Sequence, residues 1–247
     1  SVEERLAALQ ALLESGVPPE KLLPGTGSCA LTDTVRLSQT ALEAGTAGAL
    51  VLPPFYYKGV GDDGLFRFFA EVVERIGDDR LRLYLYHIPQ MTGVDLGLPL
   101  ISRLIDAYPG VVVGTKDSSG DRERIMTLCR EFPGFSVLAG TETLLLETLR
   151  SGGEGCISAT VNVTSRLARR VHDAHAAGKA DDAKALQEHL TQLRASIEAY
   201  PVIPALKVIM ADMTNDKAWR NLRPPLSELD EKQTIHLLSE VPPAELL

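Results

Sequence analysis

A lysine and a tyrosine, each closing an apolar run, carry the most specific chemistry in this sequence. Lys116 ends Val111-Val112-Val113-Gly114-Thr115-Lys116, and Tyr86 lies near the end of Leu83-Tyr84-Leu85-Tyr86-His87-Ile88-Pro89. Side chains alternate along a strand, so Val112, Gly114 and Lys116 are expected on one face, as are Tyr84 and Tyr86. If the runs are adjacent parallel strands, about 4.8 Å apart, Lys116 and Tyr86 end side by side. A glycine beneath Lys116 leaves room for its long side chain or for a ligand. A lysine sheltered from water suits amine catalysis: desolvation disfavours the ammonium form, and the free amine condenses with a ketone. The resulting iminium draws electrons from the neighbouring carbon and allows carbon–carbon bonds to form or break. A nearby phenol can relay the proton. Spacing alone favours a plainer arrangement, with Lys116 paired to Asp117 or Asp121 and Tyr86 packed with a solvated hydroxyl.

The elements that must position these residues follow a regular rhythm. Residues 1–15 read as a helix, with capping-box spacing at Ser1 and Glu4 and with Leu6, Leu9, Leu12 and Leu13 on one face. Short apolar runs follow at Leu22–Thr26, Ala47–Pro53, Leu81–Pro89, Val111–Lys116, Ser136–Gly140 and Gly155–Thr160, separated by amphipathic helices at 33–44, 62–76, 98–108, 121–132 and 142–150. Alternation of this kind predicts an α/β fold of parallel strands joined by crossover helices. Continuous apolar runs such as Ala49-Leu50-Val51-Leu52 suit strands covered on both faces. From Thr164 onward only helices are expected, at 165–178, 180–199, 203–213 and 227–240. This rhythm allows an open doubly wound sheet or a (β/α)₈ TIM barrel. Gly25-Thr26-Gly27 is a weak match to the glycine fingerprint of the first, and a lysine and tyrosine at C-terminal strand ends favour the barrel. Residues 1–163 supply βα units, and residues 164–247 are a helical extension of the same domain. A helix that begins with no strand before it suggests that the first two strands are missing from this chain. The six remaining strands cannot close an eight-stranded barrel.

Composition narrows the class. The 247 residues carry 25 Lys and Arg against 33 Asp and Glu, a net charge of −8. With no basic block, the chain is a poor partner for nucleic acid or an anionic membrane. Cys29, Cys129 and Cys156 lie too far apart in sequence for a CxxC metal site and form no disulfide framework, which fits a reducing cytoplasm. No secretory signal pattern is visible, and the apolar stretch from Ala47 to Tyr57 is too short to span a bilayer.

The wording around the lysine and tyrosine adds a family. Tyr86-His87-Ile88-Pro89, Thr92-Gly93 and Gly114-Thr115-Lys116-Asp117-Ser118-Ser119-Gly120-Asp121 resemble the dihydrodipicolinate synthase / N-acetylneuraminate lyase family. So do Gly25-Thr26-Gly27, the stretch Ala47-Gly48-Ala49-Leu50-Val51-Leu52-Pro53-Pro54-Phe55-Tyr56-Tyr57, and Gly155-Cys156-Ile157-Ser158-Ala159-Thr160-Val161-Asn162-Val163. The resemblance runs in order from about residue 1 to 163. It implies a barrel with C-terminal helices, assembled as a dimer or tetramer, working on a small 2-keto acid without metal or cofactor. Carried over residue by residue, it makes Lys116 the Schiff-base lysine for pyruvate or a related keto acid, and Tyr86 the proton relay. Gly140 and Ile157 match backbone positions that line the pocket. Tyr56 resembles a tyrosine lent across a dimer interface. The family's Gly-Thr-Thr-Gly-Glu-type loop has no counterpart in this chain. Met91 stands where dihydrodipicolinate synthases carry an arginine, and a thioether cannot hold a carboxylate in a bidentate contact. That favours another aldolase, lyase or hydro-lyase of the family. An authentic 4-hydroxy-tetrahydrodipicolinate synthase and a barrel that binds a keto acid without turnover are the alternatives.

Other signals point to structure. If Tyr86 faces the pocket, His87 faces the helices. His172 and His175, spaced three apart, read as a solvated helix face without a third metal ligand. Asp117 to Asp121 reads as the cap of the next helix. Lys207 reads as a surface helix lysine, and Arg166, Arg169 and Arg170 as partners for nearby acids.

Overall fold

The computed structural model describes residues 1–242 and Leu246. It divides into two compact units, Ser1–Leu138 and Ala139–Leu247. Among the described residues, five strands follow chain order in one sheet: β1 (Ala49–Val51), β2 (Leu83–His87), β3 (Val112–Asp117), β4 (Ser136–Ala139) and β5 (Gly155–Cys156). β1 pairs with β2, and β2 with β3, in parallel.

In the first unit the helices are α1 (Val2–Glu14), α2 (Leu31–Glu43), α3 (Asp62–Ile76), α4 (Pro89–Thr92), α5 (Leu98–Ala107) and α6 (Arg122–Glu131). The capping box expected at Ser1 and Glu4 forms. Leu9 is buried on α1, whereas Leu12 is 46% exposed, so the apolar face is narrower than its spacing suggests. α3 coincides with the predicted 62–76. Leu65, Phe69 and Val72 recur at helical spacing and are buried, and Gly77 closes the helix in the left-handed conformation at φ 61°. Leu37 and Ala41 of α2, Leu100, Ile101 and Leu104 of α5, and Leu83 and Leu85 of β2 complete the core. Each fully buried side chain of this size stabilises the fold by about 1.5–3 kcal/mol relative to an exposed one.

Two of the six expected strands are reduced to a single bridge or to two residues. Leu22–Thr26 supplies only a parallel bridge between Gly25 and Leu50. Its run includes Pro24, whose carbonyl accepts the Leu50 N–H but which has no N–H to continue a ladder. Gly155–Thr160 yields the two-residue β5, because the Ser158 and Thr160 side chains are engaged elsewhere and α8 begins at Val161.

The second unit holds α7 (Leu145–Arg150), α8 (Val161–Ala176), α9 (Ala180–Glu198), α10 (Val202–Thr214) and α11 (Glu231–Glu240). The four helices α8 to α11 are those expected after Thr164, with α8 and α11 starting four residues from the expected positions. Their core gathers Val163, Leu167, Val171, Leu190, Ile197, Ala205, Ile209 and Leu237. Among the described residues, no helix is long and apolar enough to cross a membrane.

Candidate active site

β2 and β3 set the register on which the site depends. Tyr84 pairs with Gly114, Tyr86 with Lys116 and His87 with Asp117. Lys116 Nζ donates to the Tyr86 hydroxyl at 3.0 Å and lies 4.1 Å from the ring centroid. Both side chains are half-buried. The pairing of Lys116 with Asp117 or Asp121 does not form: Asp121 instead caps α6 by accepting the Arg124 N–H at 3.1 Å.

One expectation needs correction. The register slips by a residue between Leu83 and Tyr84, so Leu83 pairs with Val112 and Tyr84 with Gly114. The alternation counted from Val112 to Gly114 is therefore interrupted. The glycine at 114 answers to the Tyr84 ring. A Cβ at Gly114 would lie 2.6 Å from two ring carbons and from the Ser136 carbonyl oxygen. On the opposite side, a Cβ at Gly48 would lie 3.0 Å from the ring and 2.5 Å from the Arg82 carbonyl. Tyr84 is held between two glycines, and the space beneath Lys116 belongs to that ring.

His87 faces away from the lysine, as alternation predicts, and is buried. Its Nδ1 lies 2.8 Å from Asp117 Oδ2 and its Nε2 2.9 Å from Asp95 Oδ1. Asp117 is fully buried and also accepts from Arg124 Nε at 2.6 Å and from the Ser119 N–H at 3.0 Å. Arg124 donates onward to the Leu96 carbonyl at 2.5 Å. Burial pushes the Asp117 carboxyl up. The hydrogen bonds and charge of His87, with the bonds of Ser119 and Arg124, outweigh burial and hold it at about 2. This network ties β2, β3, α6 and the loop after α4 together directly behind Lys116 and Tyr86. Sequence reasoning placed His87 correctly but missed Arg124 and Asp95, which come from other elements.

The loop before α3 carries Tyr56, which is 77% exposed and packs edge-to-face with Tyr57 at 5.3 Å. The structure does not bring it to Lys116. Lys58 anchors that loop by donating to the Phe55 carbonyl and, at 2.5 Å, to the Thr92 carbonyl. Met91, in α4, is 75% exposed. Gly140 and Ile157 lie in the second unit, at the end of β4 and just after β5, where the Ile157 N–H donates to the Ala139 carbonyl at 2.9 Å. His172, half-exposed on α8, meets Asp173 at 3.3 Å, and Arg169 meets the same carboxylate at 2.8 Å, as expected of a solvated face. Lys207 lies 5.8 Å from the Trp219 ring centroid.

The profile of the Dihydrodipicolinate synthetase family matches residues 1–241. The chain belongs to this family. It is 34% identical over 237 residues to an "Uncharacterized DapA-like lyase" of Chloroflexus aurantiacus, covering 96% of this chain and 78% of that protein. It is 33% identical over 237 residues to a 4-hydroxy-tetrahydrodipicolinate synthase of Thermus thermophilus, covering 94% and 77%. It is 32% identical over 241 residues to a putative 2-dehydro-3-deoxy-D-gluconate aldolase, YagE, of Escherichia coli K12, covering 95% and 78%. The crystal structure of YagE in complex with pyruvate matches with a TM-score of 0.83 at 27% identity, covering 98% of this chain and 82% of that one. The fold class is the α/β TIM barrel of this lyase family, with its C-terminal helical extension.

Proposed function

We propose that this dihydrodipicolinate synthase family lyase acts on pyruvate or a related 2-keto acid through an imine on Lys116. The contact of Lys116 Nζ with the Tyr86 hydroxyl at 3.0 Å carries the reading. The amine adds to the keto carbon. The carbinolamine takes a proton through Tyr86 and loses water, leaving an iminium. That group accepts the electron pair of the breaking carbon–carbon or carbon–hydrogen bond as an enamine, and Tyr86 relays the proton. Because the iminium is itself the electron sink, the chemistry needs no metal. Gly140 and Ile157 supply backbone to the keto-acid pocket, and Tyr56 serves a neighbouring copy in a dimer or tetramer.

Met91 bears on the second substrate. An exposed thioether gives an aldehyde's carboxylate nothing to pair with, which supports an aldolase or hydro-lyase of uncharged, hydroxylated chains over a dihydrodipicolinate synthase.

Incubation with pyruvate, reduction with borohydride and peptide mass mapping test the reading. We expect an adduct on the Lys116 peptide, none in Lys116→Arg, and formation slowed about 10²–10⁴-fold in Tyr86→Phe. A fully active Lys116→Arg enzyme, or turnover abolished by chelators with no adduct, overturns it. An adduct without turnover of any keto acid in a panel identifies a binding barrel instead.

A further inference from the structure

The second unit contains a buried ion pair that the imine chemistry leaves unused. Glu142 is fully buried. Its carboxylate accepts from the Ser158 and Thr160 hydroxyls and from Arg194 Nη1 at 2.5 Å. The same nitrogen reaches Ser158 Oγ at 2.6 Å and Thr160 Oγ1 at 3.0 Å, while Nη2 donates to Glu198 at 2.5 Å. The Arg194 side chain is only 14% exposed. Gln187 stands seven residues earlier on α9, two turns away on the same helix face. Its amide donates to the Glu142 carbonyl at 2.9 Å and accepts the Leu146 N–H at 3.0 Å. One face of α9 thus grips the turn that follows β4.

Thr160 forgoes its ordinary local use. Thr160 is the N-cap residue of α8, yet its side chain makes no capping bond. Burial, with Glu142 adding and Arg194 opposing, pushes the neighbouring Cys156 thiol up to about 12, which marks surroundings poor in water. A buried ion pair adds little net stability over apolar residues of the same volume, so its presence is better explained by the geometry it fixes. That geometry is specific. Glu142 lies two residues after Gly140, and Ser158 directly follows Ile157.

We propose that Arg194 and Glu142 are positioning residues for the keto acid, holding the backbone at Gly140 and Ile157 through Ser158 and Thr160. The helical extension is then part of the binding apparatus rather than an appendage. This inference rests on the imine reading, under which Gly140 and Ile157 line the pocket.

The test measures the pyruvate concentration that gives half-maximal borohydride trapping on Lys116, together with thermal unfolding, for wild type, Glu142→Gln/Arg194→Met and Arg194→Lys. The double variant removes both charges and leaves no buried ion alone. Its half-maximal concentration should rise on the order of 100-fold, because small displacements of positioning groups are felt strongly at the reacting atoms. Arg194→Lys keeps the charge but has one nitrogen where the two of the guanidinium serve four acceptors. It should shift in the same direction by less, and it carries the test should the double variant not fold. A half-maximal concentration equal to wild type, with only a lower melting temperature, shows a purely structural pair and overturns the inference alone. No adduct in the wild type overturns the imine reading, and this inference with it.

Discussion

Asp117 adjoins Lys116, the proposed imine lysine, in sequence, yet strand alternation turns the two side chains to opposite faces. Its carboxyl is held at about 2, against 3.8 for a free aspartate, and that difference is a statement about stability. A group depressed in the folded state contributes fully above its unfolded value and loses its contribution as pH falls through the folded one. The window therefore runs from near 3.8 down to about 2, and the contribution is about 2 kcal/mol. In urea, Asp117→Asn should be less stable than wild type near neutrality, with the gap closing across that window. A gap that stays constant down to the lower limit would show that the carboxylate is not ionised there by its neighbours. Alternation made Lys116, Tyr86 and the outward turn of His87 legible in the sequence. The partners of Asp117 were not legible, since Arg124 and Asp95 reach it from a helix and a loop whose approach no local pattern encodes.

Among the elements, the fit of β2 between its neighbours depends on two absent side chains. Gly114→Ala places a methyl group 2.6 Å from both the Tyr84 ring and the Ser136 carbonyl oxygen. We expect a loss of about 1–3 kcal/mol by urea unfolding. Adding Tyr84→Ala should recover only part of it, because the carbonyl stays in place. Full recovery would mean that the ring alone sets the limit. Helices such as α3 were readable to the residue because apolar spacing and a terminal glycine agree. The short β5 was not, because the polar side chains that follow it are recruited by Glu142 and Arg194, which stand 52 residues apart.

At the scale of the molecule, the chain forms two compact units and spans nearly four fifths of the curated relatives described above. The rhythm of apolar runs made the α/β class and its parallel strands legible, whereas it left the barrel and an open doubly wound sheet undivided. Phe55, Tyr56, Tyr57 and Met91 all expose apolar surface, and a second copy is the proposed cover for Tyr56. Sedimentation should show a dimer or larger assembly that Tyr56→Ala shifts toward the monomer. A monomeric wild type would remove Tyr56 from the site. Tyr84 has a dynamic consequence as well. With backbone against both of its edges, its ring cannot make a half-turn unless the flanking strands first draw apart. The rate of that rotation is therefore a clock for breathing of the sheet itself, ticking one layer beneath Lys116.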